Sequence, residues 1–235
     1  MIDATALRAR LTAVRERITR AAERAKRDPA SVRLIAISKT FDADDVRAAA
    51  DAGQIDFGEN KVQEALEKMD RTSDLDIRWH LVGHLQSNKA KKAGGRFAAV
   101  HSVDSVDLLR RLDEAAGASG RKLQILVQVD LAGEATKHGA AEDELRPIFE
   151  AAAAAPNVEP VGLMMLPPAV PTPDDARPYF RALQQVRERL GRAGVAPACL
   201  RELSMGMSHD FEVAVEEGAT MVRVGTAIFG SRTYP

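Results

Sequence analysis

Eight short apolar segments alternate with helical patterns along the chain, and this alternation constrains the fold more than any other feature. Short apolar runs bounded by glycine or polar residues are typical of buried strands. The predicted strands are 33–38, 54–58, 78–82, 98–102, 123–129, 158–166, 201–204 and 221–224. The predicted helices between and after them are 43–52, 61–69, 87–93, 106–116, 142–155, 175–193 and 211–217. This order predicts a parallel (β/α)8 TIM barrel, with an open doubly wound sheet as the alternative.

The regions outside this alternation do not divide the chain. Residues 1–27 have apolar side chains at helical spacing and predict an extra N-terminal helix. The proline-rich stretch 166–173 joins a strand to a helix, so we interpret it as a long βα loop over the active face rather than a linker. We therefore expect one domain over residues 1–235, with no C-terminal β-domain.

Composition excludes several classes of protein. With 33 Lys+Arg against 34 Asp+Glu, the chain has no basic excess that would indicate a nucleic acid partner. Cys199 is the only cysteine, so an internal disulfide or a cysteine zinc site is impossible. The apolar stretches are shorter than the roughly 20 residues that a membrane span needs, and the N-terminus lacks a signal-peptide core. We expect a cytoplasmic protein without nucleic acid or membrane partners.

Lys39 stands at the end of the first apolar run, just before a helix-start signal. Low-dielectric core disfavours the charged form of an ammonium, and a partly neutral lysine is a nucleophile that forms Schiff bases with aldehydes such as pyridoxal phosphate. The alternative is a lysine that extends from the strand end into water. Taken alone, Lys39 favours this second interpretation, so its role depends on what else lies at the same end of the barrel.

Small and polar residues follow the other strands, at the end where active sites of parallel barrels lie. They occupy 58–60, 83–86, 102, 104, 133–139, 204–208 and 225–226. Ser208 opens the predicted helix 211–217, and Gly225 and Thr226 follow the eighth strand. Backbone N–H groups of small residues before a helix bind phosphate, and barrel phosphate sites form after strands seven and eight. Ordinary turn and cap chemistry is the alternative, but both signals at these two strands favour a phosphate site.

Arg223 lies within a strand otherwise built for burial. If its side chain points into the barrel it needs a partner, and in a pyridoxal phosphate site that partner can be the pyridine nitrogen. The alternative is an outward arginine between two helices, and the strand pattern leaves both open. His80 and His84 are four residues apart but lie in a strand and the turn after it, so we expect no metal site.

Five ordered motifs together resemble the YggS/PROSC family of pyridoxal phosphate-binding proteins, which are shaped like the N-terminal barrel of alanine racemase. They are 37–40 (ISKT), 57–64 (FGENKVQE), 79–89 (WHLVGHLQSNK), 203–208 (LSMGMS) and 221–230 (MVRVGTAIFG). The resemblance implies a cofactor held by Lys39 as an internal aldimine. It further implies a ring contact from Asn60, a pyridine contact from Arg223, and phosphate contacts from Ser204, Ser208, Gly225 and Thr226. Departures from the family pattern fall at Met165, Ala135 and Thr136.

The resemblance also implies a role in intracellular pyridoxal phosphate (vitamin B6) homeostasis without catalytic turnover. The alternative is an amino-acid racemase of low activity, which needs two bases, one on each face of the substrate. In alanine racemases the second base is a tyrosine of a separate β-domain. Here the tyrosines are Tyr179, within a predicted helix, and Tyr234, at the terminus. We therefore expect a carrier without catalytic residues, whose partners are pyridoxal phosphate and apo forms of enzymes that use it. We expect a monomer or weak dimer.

Overall fold

The computed structural model describes residues 2–131 and 138–230, and within them the predicted parallel barrel is present. Each strand pairs in parallel with the next, and β8 returns to pair with β1 through Arg33↔Met221 and Ala36↔Val224. The strands are β1 Arg33–Ile37, β2 Asp56–Glu59, β3 Arg78–Leu81, β4 Ala99–Val103, β5 Leu123–Gln128, β6 Val158–Met164, β7 Glu202–Met207 and β8 Met221–Val224. The closed order excludes the open doubly wound sheet.

Helices surround the barrel and cover the outer face of the sheet. They are α1 Ala4–Arg24, α2 Ala43–Asp51, α3 Val62–Arg71, α4 Ala90–Gly94, α5 Val106–Ala118, α6 Glu142–Ala153, α7 Arg177–Arg192, α8 Phe211–Glu216 and α9 Thr226–Phe229. Their buried faces and the outward side chains of the strands form the main hydrophobic core. Within the described residues, no helix combines the length and the apolar character needed to cross a membrane.

The predicted N-terminal helix is α1. The side chain of Asp3 caps it by accepting a hydrogen bond from the Thr5 N–H at 2.9 Å. Its apolar stripe, which includes Leu7 and Leu11, is buried against α2, α8 and α9. Because α2 follows β1 and α8 precedes β8, α1 covers the barrel beside the pair of strands that closes it.

Two boundaries near the carboxyl end differ from the prediction. Strand β7 continues to Met207, three residues beyond the predicted end at Ser204, because Gly206 adopts φ +92° and the strand bulges between Ser204 and Met207 instead of ending. Helix α9 was not predicted, since four residues are too few to show a helical period. Both differences place additional backbone at the end of the barrel where β7 and β8 finish.

The barrel interior is only partly apolar. One small cluster of side chains fills it: Ile35, Ile37, Val82, Leu126, Val161, Met164 and Met221. Beside it lie His80, His101, Ser204 and Arg223, all buried. Buried polar groups need hydrogen-bond partners, so this second set must be connected internally.

Candidate functional site

The carboxyl ends of the strands surround a pocket of about 500 Å³. Six of the seven residues predicted to contact a cofactor line it: Lys39, Asn60, Ser208, Arg223, Gly225 and Thr226. Ser204, the seventh, does not, and within the predicted segment 133–139 residues 133–137 lie outside the described part of the chain. The geometry thus gathers residues from β1, β2, β7 and β8 around one space, and their contacts with a cofactor remain a prediction.

Lys39 reaches the pocket from the wall formed by β1 and β8. Its side chain is half-buried, two residues beyond the end of β1. The adjacent wall is close-packed, because a Cβ atom on Gly225 would lie 3.2 Å from the Ile37 carbonyl oxygen. Glycine therefore allows the backbone after β8 to approach the end of β1, which puts Lys39 and Thr226 on the same side of the pocket.

Ser208, Gly225 and Thr226 form the corner predicted to bind phosphate. The Gly225 N–H donates a hydrogen bond to Ser208 Oγ at 3.1 Å, which joins the segment after β7 to the start of α9. Asp210 stabilises the turn before Ser208 by accepting a hydrogen bond from the Met207 N–H at 2.6 Å. Burial raises the pKa of Asp210, although that hydrogen bond and the Arg223 charge oppose the rise. The corner offers hydroxyls and backbone N–H groups with a guanidinium in the same pocket.

Arg223 points into the barrel, which decides between the two orientations that the strand pattern left open. It is 4 % exposed, and it donates hydrogen bonds to Ser204 Oγ at 2.6 Å and to the Met165 carbonyl oxygen at 2.8 Å. Burial lowers its pKa to about 10, opposed by the charge of Asp210, so the guanidinium stays protonated at neutral pH. These two bonds use two of its five N–H donors and hold its planar group at the floor of the pocket.

A chain of buried hydrogen bonds extends from Arg223 through the barrel to the opposite end. Beyond Ser204, His101 Nδ1 lies 2.9 Å from Ser204 Oγ, and His101 Nε2 lies 3.0 Å from His80 Nδ1. His80 Nε2 then lies 2.8 Å from Asp56 Oδ1. The Asp56 carboxylate also accepts two hydrogen bonds from Arg78, at 2.8 and 2.7 Å.

The charges at the two ends determine the direction of every bond in this chain. Burial lowers the pKa of both His80 and His101, so the two rings are neutral, while hydrogen bonds from His80 and Arg78 outweigh burial and lower the pKa of Asp56. Arg223 can only donate to Ser204, and ionised Asp56 can only accept. The Ser204 hydroxyl therefore donates to His101, which donates to His80, which donates to Asp56.

Ser204 consequently lies in a different place from the one that the phosphate prediction implies. It is fully buried beneath Arg223 and is not exposed to the pocket. The chain first reaches the pocket at Met207, three residues after Ser204, because β7 continues past Ser204. In the structure Ser204 contacts the guanidinium and His101, so its effect on a ligand would be transmitted through Arg223.

Asn60 occupies the wall contributed by β2, held by a tight contact with the next βα loop. A Cβ atom on Gly83 would lie 2.3 Å from the Asn60 carbonyl oxygen, closer than any side chain tolerates. The Ser102 hydroxyl donates to the Gly83 carbonyl oxygen at 2.8 Å and fixes the other side of this contact. Gly83 and Ser102 therefore set how far Asn60 extends over the pocket.

A histidine pair lines the pocket, and although the sequence places both residues at this end of the barrel, neither was among the predicted cofactor contacts. His84 and His138 both line the pocket, and their rings stack with centroids 3.4 Å apart and planes 12° apart. Asp104 Oδ2 lies 3.6 Å from His84 Nδ1. Burial lowers the pKa of His84, as does the His138 charge, against the opposing effect of Asp104. The signal available in the sequence was the position of His84 directly after Gly83 at a strand end.

His84, Asp104 and His138 are also residue types that bind metal ions, with ligand atoms within 4.8 Å of one another. Histidine binds a metal along the lone pair in its ring plane. In two stacked, nearly parallel rings these lone pairs do not converge on one point, so the observed arrangement is that of a stacked pair. The expectation of no metal site remains a prediction.

Comparison with known proteins identifies close relatives over nearly the whole chain. Residues 9–233 match the family model of the alanine racemase N-terminal domain. The pyridoxal phosphate homeostasis protein of Aquifex aeolicus is 43 % identical over 211 residues, which are 90 % of this chain and 92 % of the relative. The protein of the same name from Pseudomonas aeruginosa is 45 % identical over 210 residues, 89 % of each chain.

Solved structures of similar proteins have the same barrel fold. PipY of Synechococcus elongatus PCC7942, whose structure was solved with PLP bound, is 40 % identical, with a TM-score of 0.84 over 95 % of this chain and 100 % of PipY. An alanine racemase from Streptomyces lavendulae has a TM-score of 0.71 at 22 % identity, over all of this chain and 59 % of the racemase. The second likeness concerns the fold alone.

Proposed function

We propose that this chain, which belongs to the alanine racemase N-terminal domain family and within it to the pyridoxal phosphate homeostasis proteins, binds pyridoxal 5'-phosphate through Lys39 and serves vitamin B6 homeostasis as a carrier. The observation that carries the proposal is one pocket lined by a lysine, a buried arginine and a small-residue corner. Each matches one functional group of the cofactor: its aldehyde, its pyridine nitrogen and its phosphate.

The residues present fit this cofactor in both size and chemistry. Gly225 keeps the backbone beside Ile37 close enough that any side chain there would be pressed against the wall. The Gly225 N–H donates to Ser208 Oγ, which holds the Ser208 hydroxyl at this corner and leaves the hydroxyl's own proton to donate to a phosphate oxygen. When bound, the cofactor supplies an aldehyde that condenses with an amine, releasing one water, and an electron-withdrawing ring.

Arg223 would determine how that ring behaves. Its guanidinium keeps its proton at neutral pH and can only donate to a pyridine nitrogen, which leaves that nitrogen unprotonated. An unprotonated ring withdraws electrons less strongly, which suits holding a cofactor better than activating a substrate. We assign Ser204 to the support of Arg223, and Ser208, Gly225 and Thr226 to the phosphate.

A low-activity amino-acid racemase is the second candidate, and the histidine pair is the observation that favours it. Proton removal and return require two groups. Lys39 and His84 line the same pocket, whereas Tyr179 lies in α7 and does not line it, and Tyr234 is outside the described residues. We propose that the carrier role predominates, because the relatives with 43 % and 45 % identity are named for homeostasis.

Absorbance spectroscopy and an activity assay together test the proposal. Pyridoxal phosphate added to the purified protein should produce the visible absorbance of a covalently held cofactor, and Lys39→Ala should abolish it. Arg223→Ala should keep the covalent bond with altered affinity or spectrum. Formation of D-amino acids with a kcat of about 1 s⁻¹ or more would contradict the carrier role.

Transfer to a recipient tests the proposed partners. Loaded protein is mixed with an apo enzyme that requires pyridoxal phosphate, and the rate of enzyme activation is compared with the rate of cofactor release into solution. Activation faster than release indicates direct contact between the two proteins. If activation never exceeds release at any concentration of apo enzyme, the role of the protein is confined to storage of the cofactor. We propose that the protein acts in the cytoplasm.

A further inference from the structure

A buried ion cluster lies directly behind Lys39. Lys68 of α3 has a side chain that is 8 % exposed, and its Nζ donates three hydrogen bonds. The acceptors are Glu59 Oε1 at 2.6 Å, Glu64 Oε1 at 2.8 Å and the Ser38 carbonyl oxygen at 2.7 Å. The Ser38 hydroxyl donates to Glu59 Oε1 at 2.7 Å. The carbonyl and hydroxyl groups of the residue before Lys39 are therefore both bound to this cluster.

The residue after Lys39 is bound to the same cluster and is strained. Thr40 has φ +71°, in the left-handed region that β-branched residues rarely adopt. Its N–H donates to Glu64 Oε1 at 2.5 Å. Since that conformation is unfavourable for threonine, it persists only where surrounding contacts enforce it. The Glu64 carboxylate, itself held by Lys68, is such a contact.

Stability alone does not account for the cluster. Burying an ammonium and a carboxylate removes both from water, and well-packed apolar residues of similar size often stabilise a fold equally well. Glu59 Oε2 is buried without a hydrogen-bond partner in the described residues, which adds a further desolvation cost to the free energy of folding. Burial raises the pKa of Glu59 despite the opposing charge of Lys68. An arrangement this unfavourable, in contact with both neighbours of one lysine, indicates a positional role.

We propose that Lys68, Glu59 and Glu64 are positioning residues for Lys39. They fix the peptide groups on both sides of it, and so restrict where its amine can reach in the pocket. This inference rests on the proposed function, because the amine is the group that would bond to the aldehyde of pyridoxal phosphate. The cluster should therefore affect the covalent bond selectively and leave the contacts with the ring and the phosphate unchanged.

The matched pair Glu64→Ala and Glu67→Ala tests this selectivity. Both glutamates lie on α3, but Glu67 is exposed and bonds only to Gln63 among the described contacts. Affinity is measured for pyridoxal phosphate and for pyridoxine phosphate, which carries an alcohol instead of the aldehyde. Glu64→Ala should weaken binding of the aldehyde by about 10- to 100-fold, the range for a lost charge-assisted hydrogen bond, with the alcohol unaffected. Glu67→Ala should change neither.

Two further variants separate positioning from general damage. Lys68→Met removes the shared donor and should show the same selective loss. Asparagine tolerates the left-handed region better than threonine, so adding Thr40→Asn to Glu64→Ala should restore part of the lost affinity. Equal weakening of the aldehyde and the alcohol, or no loss in Glu64→Ala, would overturn the proposal.

Amide hydrogen exchange in the cofactor-free protein gives a readout independent of binding. The Thr40 N–H should exchange faster in Glu64→Ala than in Glu67→Ala, because its acceptor is gone. If the wild-type protein forms no covalent bond with pyridoxal phosphate, the proposed function fails, while this exchange comparison still reports on the turn. If the bond forms but Thr40 exchange and aldehyde affinity are unchanged by Glu64→Ala, the positioning role alone fails.

Discussion

The sequence motif suggests that Ser204 and Ser208 both bind phosphate, whereas in the structure Ser204 contacts Arg223 and only Ser208 lines the pocket. Replacing each serine separately by alanine should distinguish these two roles. Ser204 is completely buried, accepts a hydrogen bond from Arg223 at 2.6 Å and contacts His101 at 2.9 Å. Its removal leaves an N–H of a buried guanidinium and a ring nitrogen without partners. A hydrogen bond to a charged group contributes about 1.5–3 kcal/mol, and an unpaired buried group adds to the loss. We expect Ser204→Ala to lower the free energy of unfolding by about 2–4 kcal/mol.

Ser208→Ala is the matched control, since it deletes the same hydroxyl at the wall of the pocket. Ser208 is only half-buried, and Gly225, which donates to it, lines the pocket. Because it removes the acceptor of the Gly225 N–H, its loss should lower the free energy of unfolding by about 0.5–1.5 kcal/mol, less than Ser204→Ala. It should also weaken binding of pyridoxal phosphate and of free phosphate. Ser204→Ala should leave free phosphate binding unchanged, because Ser204 does not reach the pocket.

Urea unfolding of the cofactor-free protein, followed by tryptophan fluorescence, measures these differences. Trp79 is the only tryptophan and is buried on β3, so its emission reports loss of the barrel. A typical domain has about 5–15 kcal/mol of stability, so Ser204→Ala should still fold. Equal stability of the two variants, or loss of phosphate binding in Ser204→Ala, would refute the separation of roles.

Three further outcomes follow from the structure. The pKa values of His80 and His101 are lowered by burial, so the folded protein excludes protons that the unfolded chain binds below pH about 6.5. Stability should therefore fall as pH drops from 7 to 5.5, by up to about 1.4 kcal/mol per pH unit for each histidine, and urea midpoints that stay constant over this range would contradict it. Gly83→Ala should displace Asn60, lowering both stability, by about 1–3 kcal/mol, and cofactor affinity in a titration. A Cβ atom on Gly191 of α7 would lie 4.0 Å from Leu200 Cδ1, so Gly191→Ala should instead raise the urea midpoint slightly. A loss of stability as large as that of Gly83→Ala would contradict the packing argument.

The order of strands and helices could be predicted because barrel strands are buried on both faces and form continuous apolar runs. The same double burial explains why the direction of Arg223 could not be predicted. In a sheet with one wet face, alternation shows which side chains point inward. In β8, Val222 and Val224 are as fully buried as Met221, so the pattern carries no such signal. Only the contacts with Ser204 and Met165 decide the direction.

The cluster of pocket residues was predictable from topology, since each follows a strand at the same end of a parallel barrel. The positioning contacts of Lys39 were not. Lys68 is nine residues from Glu59 and thirty from Ser38, and these separations depend on how α3 packs against the barrel. Lys68 also belongs to a charged helical segment, where lysine is normally exposed. Its burial is a result of tertiary packing that no local pattern expresses.

The buried hydrogen-bond chain from Arg223 to Asp56 could be predicted from the sequence in part. His80, His101, Ser204 and Arg223 each interrupt an apolar strand, on β3, β4, β7 and β8. A polar side chain inside a barrel must find a partner, and the interior is so narrow that polar residues from different strands can meet only each other. The four could therefore have been predicted to form one connected set. The order in which these four side chains bond to one another could not be predicted, because it depends on the layer of the barrel at which each strand places its residue. The charges of protonated Arg223 and ionised Asp56 then determine the direction of every bond between them.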